Sequence, residues 1–176
     1  MIVFLCGMMG SGKSSLGKKI ASKMHWDFID LDILIEEEEK KTISEIFKNS
    51  GENYFRNIET QALQKIILSK KNVIVALGGG TPCFNNNMEL INKNGLSIFL
   101  NVELNKIANR LLNAKTTRPL IAELESYLKI KEFISAKMQE RIFFYKQCKI
   151  ILEDHNISDE TLINSIHHYI SSDYKI

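Results

Sequence analysis

The sequence predicts an α/β protein in three layers, a five-stranded parallel sheet flanked on both faces by helices. Three observations carry this. Apolar, β-rich runs alternate with segments of helical periodicity along the whole chain. No internal repeat, Pro- or Gly-rich linker or low-complexity tract divides the 176 residues, a length that suits one domain with a substantial core. The first apolar run leads through a glycine-rich stretch straight into a lysine-rich amphipathic segment, the order strand, loop, helix. Strands that alternate with helices pair in parallel, and right-handed crossovers put helices on both faces.

The elements follow in order. "IVFLC" at 2–6 reads as a buried strand, and 14–24 as a helix with Leu16, Ile20 and Met24 on one side. "FIDL" at 28–31 is a short strand. "IEEEEKK" at 35–41 is a solvated helix face, with the Glu and Lys spacing of ordinary surface chemistry. "TISE" from Thr42 matches a capping box and opens a short helix. A longer helix covers 51–69, with Ile58, Ala62, Leu63, Ile66 and Ile67 at helical spacing. Strands at 72–77, 96–102 and 149–153 and helices at 87–93, 104–113, 125–147 and 158–171 complete the pattern. The pair Phe143 and Phe144 reads as core packing, with a partner surface as the alternative. "NAKTTRPL" at 113–120 breaks the helical pattern with polar residues and one of the two prolines, which marks a candidate mobile segment.

Composition narrows the function classes. Apolar residues make up 44% and charged residues 25%, as in an ordinary folded domain. A net charge of +2 is too small to suggest nucleic-acid binding. No apolar run reaches the roughly 18 residues of a membrane span. The start lacks the basic leading region and cleavage site of a signal peptide, so the expected location is the cytoplasm. Cys6, Cys83 and Cys148 form no C-x-x-C pair and are expected to be free thiols. His167 and His168 are adjacent, do not share a helix face, and read as a solvated helix end.

The strongest motif is Gly7, four residues, then Gly12, Lys13 and Ser14, a complete phosphate-binding loop in its required context. Gly7, Gly10 and Gly12 allow successive amides to turn inward at phosphate oxygens. The following helix adds its positive dipole end. Lys13 supplies charge to the outer phosphates, and Ser14 a hydroxyl for Mg²⁺. "DLD" then places Asp30 and Asp32 at the carboxyl edge of a strand, and strand alternation would turn both the same way. One acid could hold the water shell of Mg²⁺; the other could orient an acceptor hydroxyl or take its proton. Arg56 and Glu59 in "YFRNIE" are three apart on a helix. They read either as a surface ion pair or as a guanidinium fork for a ligand carboxylate with Glu59 orienting it. "GGG" at 78–80, directly after a strand, exceeds what a turn needs and implies close approach of a ligand or backbone. Arg118, in the candidate mobile segment, is placed to neutralise charge on a transferring phosphoryl group. Arg141 in "ERIFFY" is unremarkable alone.

Together, "GMMGSGKSS", "FIDLD", "YFRNIE", "LGGGT", "TRPL" and "ERIFFY", in that order over almost the whole chain, resemble the shikimate kinases. The resemblance implies transfer of the γ-phosphoryl group of ATP to the 3-hydroxyl of shikimate, in aromatic amino-acid biosynthesis. It implies a P-loop kinase fold comprising 1–176 as a single domain, with the phosphate loop at 7–15, a helical substrate-binding insertion at about 33–60 and a lid at about 113–125. Gly10, Ser11, Gly12, Lys13, Ser14, Ser15, Arg110 and Arg118 would bind ATP, with Arg110 near adenine and Arg118 on the lid. Asp32, Arg56, Arg141 and Gly78, Gly79 and Gly80 would bind shikimate, the two arginines holding its carboxylate. Lys13, Asp32 and Arg118 would be the catalytic groups. One Mg²⁺ per subunit would sit on Ser14, with Asp30 reaching it through water. A monomer with small-molecule substrates, and neither nucleic-acid nor membrane partners, is expected. The sequence departs from the family pattern in "RIFFY", where a proline is usual, and in "EDHNISDE" at 153–160, which has neither the proline nor the arginine usual in that adenine-side loop. Gluconate and nucleoside monophosphate kinases share the loop and sheet. A non-catalytic nucleotide switch would have no use for a carboxylate pocket.

Overall fold

A computed structural model describes residues 1–69, 72–113, 124 and 126–173. Its strands are β1 (Ile2–Cys6), β2 (Asp27–Asp30), β3 (Val73–Ala76), β4 (Leu96–Asn101) and β5 (Ile150–Glu153). They form one all-parallel sheet in the order β2-β3-β1-β4-β5. The helices are α1 (Lys13–Met24), α2 (Leu31–Glu39), α3 (Ile43–Leu68), α4 (Asn87–Asn94), α5 (Leu104–Leu112), α6 (Tyr127–Tyr145) and α7 (Asp159–Asp173).

The period-2 alternation of β1 divides the core. Ile2, Phe4 and Cys6 face one side with Val73, Val75 and Phe99, against helices that include α3, α5 and α6. Val3 and Leu5 face the other side with Ile74, Ile98 and Leu100, against α1 and α7. This is the predicted three-layer arrangement. Helix α1 presses so closely on its face that a Cβ at Gly17 would lie 2.8 Å from Phe28 and 3.0 Å from Leu5. Lys19 and Lys23 of α1 both pair with Asp159 at the start of α7 and hold its carboxyl below the usual range.

The strand order decides where chemistry can gather. β3 lies between β2 and β1, so the segment after β3 emerges between Asp30 and the loop after β1. These carboxyl ends form the edge where open α/β sheets bind ligands.

Several boundaries match the sequence reading closely. The Thr42 capping box is present, with Glu45 N donating to Thr42 Oγ1 at 3.2 Å and Thr42 N to Glu45 Oε2 at 2.8 Å. The two expected helices over 42–69 meet at Gly51, whose φ of 80° and ψ of 171° break α3. One boundary is corrected. The second strand ends at Asp30, not at 31, because Asp30 caps α2: its Oδ1 accepts from the amides of Asp32 at 3.1 Å and Ile33 at 3.4 Å. Asp32 therefore stands in the first turn of a helix, and the strand-alternation argument for its direction does not apply. The Phe143–Phe144 assignment is half right: Phe144 packs on the core, whereas Phe143 is 70% exposed. The three cysteines are free, with Cys6 and Cys148 buried.

Candidate active site

The phosphate loop is built by backbone conformation. Gly7, Gly10 and Gly12 have φ of 142°, 77° and 97°, values that side chains other than glycine rarely adopt. Gly12 is the N-cap of α1, so the amides and dipole of that helix point into the loop. Lys13 is buried and donates from Nζ to Gly7 O and Met8 O, both at 2.9 Å, which fixes the ammonium across the loop mouth. Ser11 is also buried, and its Oγ has no hydrogen-bond partner among the described residues. Arg110, from α5, donates to Gly10 O at 3.2 Å and Ser11 O at 3.3 Å and braces the loop from outside. Ser14 donates to Asp30 Oδ2 at 2.5 Å.

The second half of the site surrounds residues 78–80. A Cβ at Gly78 would fall 2.7 Å from Asp32 Oδ1, and one at Gly79 would fall 3.0 Å from Arg141 Nη1 and 3.5 Å from Met9 N of the phosphate loop. A Cβ at Gly80 would fall 2.7 Å from Arg56 Nη2. The close approach inferred from the triple glycine is therefore real: each glycine lies under a different charged side chain. The Gly79 carbonyl accepts from the Tyr145 hydroxyl at 2.5 Å, which ties the turn to α6 one helical turn beyond Arg141. Burial raises the Tyr145 phenol, which stays protonated as a donor.

Arg56 is no surface ion pair. It is buried, and its Nη1 donates at 2.8 Å to Glu59 Oε2. Glu59 is wholly buried and takes a second bond on Oε1 from Thr81 at 2.6 Å. A buried carboxylate with both oxygens engaged is a rigid support. The guanidinium also rests on aromatic faces, 4.1 Å from the Phe84 centroid and 5.0 Å from that of Phe55. From Nε and Nη2 it donates to Glu52 Oε1 at 3.2 and 3.0 Å. Cys83 lies beside this cluster, and burial pushes its thiol up to about 11 despite the neighbouring arginines.

This arrangement has two halves: a loop of inward-turned backbone with a buried ammonium, and beside it Arg141, Asp32, Arg56 with its partners Glu59 and Glu52, and the bare backbone of residues 78–80. The family model "SKI: Shikimate kinase" matches residues 9–171. The chain belongs to the shikimate kinase family. It is 42% identical over 149 residues to the shikimate kinase of Azobacteroides pseudotrichonymphae, covering 85% of this chain and 87% of that one. It is 39% identical over 163 residues to that of Bacteroides thetaiotaomicron, covering 93% and 92%. The crystal structure of the Bacteroides thetaiotaomicron shikimate kinase superposes with a TM-score of 0.85 at 36% identity, covering 100% and 99% of the two chains. The shikimate kinase of Acinetobacter baumannii, solved in complex with shikimate, shares the fold with a TM-score of 0.79 at 24% identity, over 99% and 95%.

Within this shikimate kinase fold the structure brings together most residues singled out in the sequence: Gly10, Ser11, Gly12, Lys13, Ser14, Asp30 and Arg110 at the loop, and Asp32, Arg56, Arg141, Gly78, Gly79 and Gly80 at the facing pocket. Ser15 is exposed on the first turn of α1. Arg118 and most of the expected lid lie outside the described residues. Sequence reasoning passed over Glu52, Phe84, Thr81 and Tyr145. Glu52 had a signal, its i,i+4 spacing to Arg56; Tyr145 had the same spacing from Arg141.

Ser14 and Asp30 are hard oxygen donors placed against the phosphate loop, a donor set that fits Mg²⁺. Among the described residues no group of three His, Cys, Asp or Glu side chains gathers to hold a metal, and none of their helices is long and apolar enough to cross a membrane.

Proposed function

We propose that the chain phosphorylates the 3-hydroxyl of shikimate with the γ-phosphoryl group of ATP, giving shikimate 3-phosphate and ADP. One observation carries the reading: Asp32, Arg56 and Arg141 converge on the glycines of residues 78–80, against a complete phosphate loop. A small hydroxylated carboxylate needs a cationic fork, a hydroxyl acceptor and a backbone it can approach, and the pocket offers each.

The residues divide the work. Gly10, Gly12 and the amides at the start of α1 seat the phosphates, and Lys13 carries charge to the outer ones. Arg56 and Arg141 fix the acceptor by its carboxylate, so the opposite side of the ring faces the donor. Asp32 orients the reacting hydroxyl and accepts its proton as the bond to phosphorus forms. Positioning of this kind supplies much of the rate in phosphoryl transfer. Ser14 and Asp30 would hold Mg²⁺, which neutralises phosphate charge when bound. Arg118, from its sequence context, is assigned to the charge of the transferring group, and Arg110 to the adenine side. The segment spanning α2 and the first half of α3 is assigned as the substrate-binding insertion. A cytoplasmic monomer completes the reading.

A coupled assay of ADP release across shikimate, gluconate and nucleoside monophosphates tests it. Release that depends on shikimate alone is expected; turnover with another acceptor and none with shikimate would overturn the assignment.

A further inference from the structure

We propose that Glu52 is an internal stand-in for the substrate's carboxylate, seated on the Arg56 fork until an acid that also engages Asp32 displaces it. The inference rests on Arg56 as the carboxylate clamp.

Arg56 carries two glutamates that differ in kind. Glu59 is fixed, with its side chain 1% exposed and its second oxygen held by Thr81. Glu52 has a side chain 52% exposed and meets Arg56 through one oxygen, which accepts from both Nε and Nη2. That Nε–Nη2 edge is the edge on which a guanidinium grips a carboxylate in fork geometry. Glu52 also follows Gly51, the break in α3, where a Cβ would meet nothing within 4 Å. The acid is therefore carried on the first turn after an unpacked bend, with open space beside it.

Displacement by substrate exchanges one carboxylate for another on the same fork, while Phe84 and Phe55 keep the guanidinium plane in place. The exchange itself gains little. A ligand wins only if it binds elsewhere as well, and Asp32 beside Gly78 is where its hydroxyls would do so. Glu59 already compensates the buried cation, so Glu52 acts at the exposed edge of the fork, where it screens the clamp from simple anions at the expense of apparent affinity for the true acceptor. If the open fork is the minor state in the free protein, freeing it tightens binding by the inverse of its population, about three- to tenfold for a population of roughly 10–30%.

The test is calorimetric titration of the protein and of Glu52→Gln and Glu52→Asp with shikimate, shikimate methyl ester and benzoate. Gln removes the charge; Asp keeps it on a shorter arm. Both variants are expected to bind shikimate more tightly, Gln by about three- to tenfold and Asp by less. The ester, which lacks the competing charge, should bind all three proteins alike, and benzoate should bind the variants but not the parent. Weaker or unchanged shikimate binding in Glu52→Gln would overturn the proposal and make Glu52 a support of Arg56. Tightening in Gln alone, with none in Asp, would overturn it in favour of a general charge effect. A parent protein that binds no shikimate would overturn the proposed substrate, and the inference with it.

Discussion

Substituting Gly80 by alanine should disable the acceptor half of the site and leave the donor half intact. Gly80 has φ of −94° and ψ of −17°, which alanine adopts without strain, so the effect comes from space alone. The new Cβ would lie 2.7 Å from Arg56 Nη2, 2.9 Å from Nη1 and 3.0 Å from Cζ. Ordinary contact begins near 3.5 Å, so the rigid guanidinium must retreat by roughly 0.5–0.8 Å. It has little room to do so, being bonded to Glu59 at 2.8 Å and lying 4.1 Å from the Phe84 centroid. The displaced fork no longer meets the substrate carboxylate squarely. Hydrogen bonds to charged groups are worth about 1.5–3 kcal/mol each, so losing one predicts a rise in the KM for shikimate of about 10- to 150-fold. The KM for ATP should not move, because the contacts of Gly80 are with Arg56 and not with the phosphate loop. Steady-state kinetics with each substrate varied in turn reads this directly, with circular dichroism to verify folding. An unchanged KM for shikimate, or an equal rise for ATP, would refute the reasoning.

Arg56→Ala removes the fork itself and should weaken shikimate binding by about 1.5–3 kcal/mol; an unchanged shikimate KM would count against Arg56 as the clamp. Lys13→Ala should nearly abolish turnover while the thermal transition persists, and full activity in that variant would remove the loop's assigned role. Tyr145→Phe deprives the half-buried Gly79 carbonyl of its donor and should lower stability by about 0.5–1.5 kcal/mol in urea unfolding. Its shikimate KM should also rise, and a variant as stable as the parent would show that the tie contributes nothing. Cys83 should alkylate slowly at pH 8, because burial lifts its thiol to about 11 and little thiolate is present. Since its folded value lies above the unfolded one, the stability it contributes is present below about pH 8.5 and lost as pH rises through 11. Mass-spectrometric labelling against pH reads the thiol, and rapid labelling at pH 8 would contradict this environment.

How much was legible in the sequence depended on whether backbone or side chains build the feature. The phosphate loop was readable in full because its geometry is imposed by glycines at fixed spacing, and their positive φ values bear that out. The layered fold was readable because alternation along β1 sorts residues between two faces. The triple glycine announced a close approach, but not that Asp32, Arg141 and Arg56 each overlie one of its residues. Asp32 was placed on the right edge for the wrong reason, since an aspartate before a helix can end a strand by capping, and Asp30 does. Apart from Glu59 and Glu52 at helical spacing, the surroundings of Arg56 were illegible, because Phe84, and Thr81 through Glu59, reach it from a turn some 25 residues away in sequence.

The topology explains why changes at this site should divide cleanly between affinity and chemistry. β1 and β3 are hydrogen-bonded neighbours, about 4.8 Å apart as parallel strands are. The phosphate loop leaves one and the glycine turn leaves the other, so the distance between donor and acceptor is set by two backbones that side-chain substitution cannot easily move. Met9 N and the Gly79 position lie in contact across that gap. The proposed carboxylate clamp, in contrast, hangs on α3 and α6, outside the sheet, and is adjusted by side chains alone: Glu59 and Thr81 from one side, Phe84 from another, Glu52 at the fork. Substitutions in this outer ring alter how tightly the acid is held while the reacting hydroxyl stays aimed at the same point. Substitutions in Gly7, Gly10, Gly12 or Lys13 alter the aim or the charge at that point and act on turnover itself.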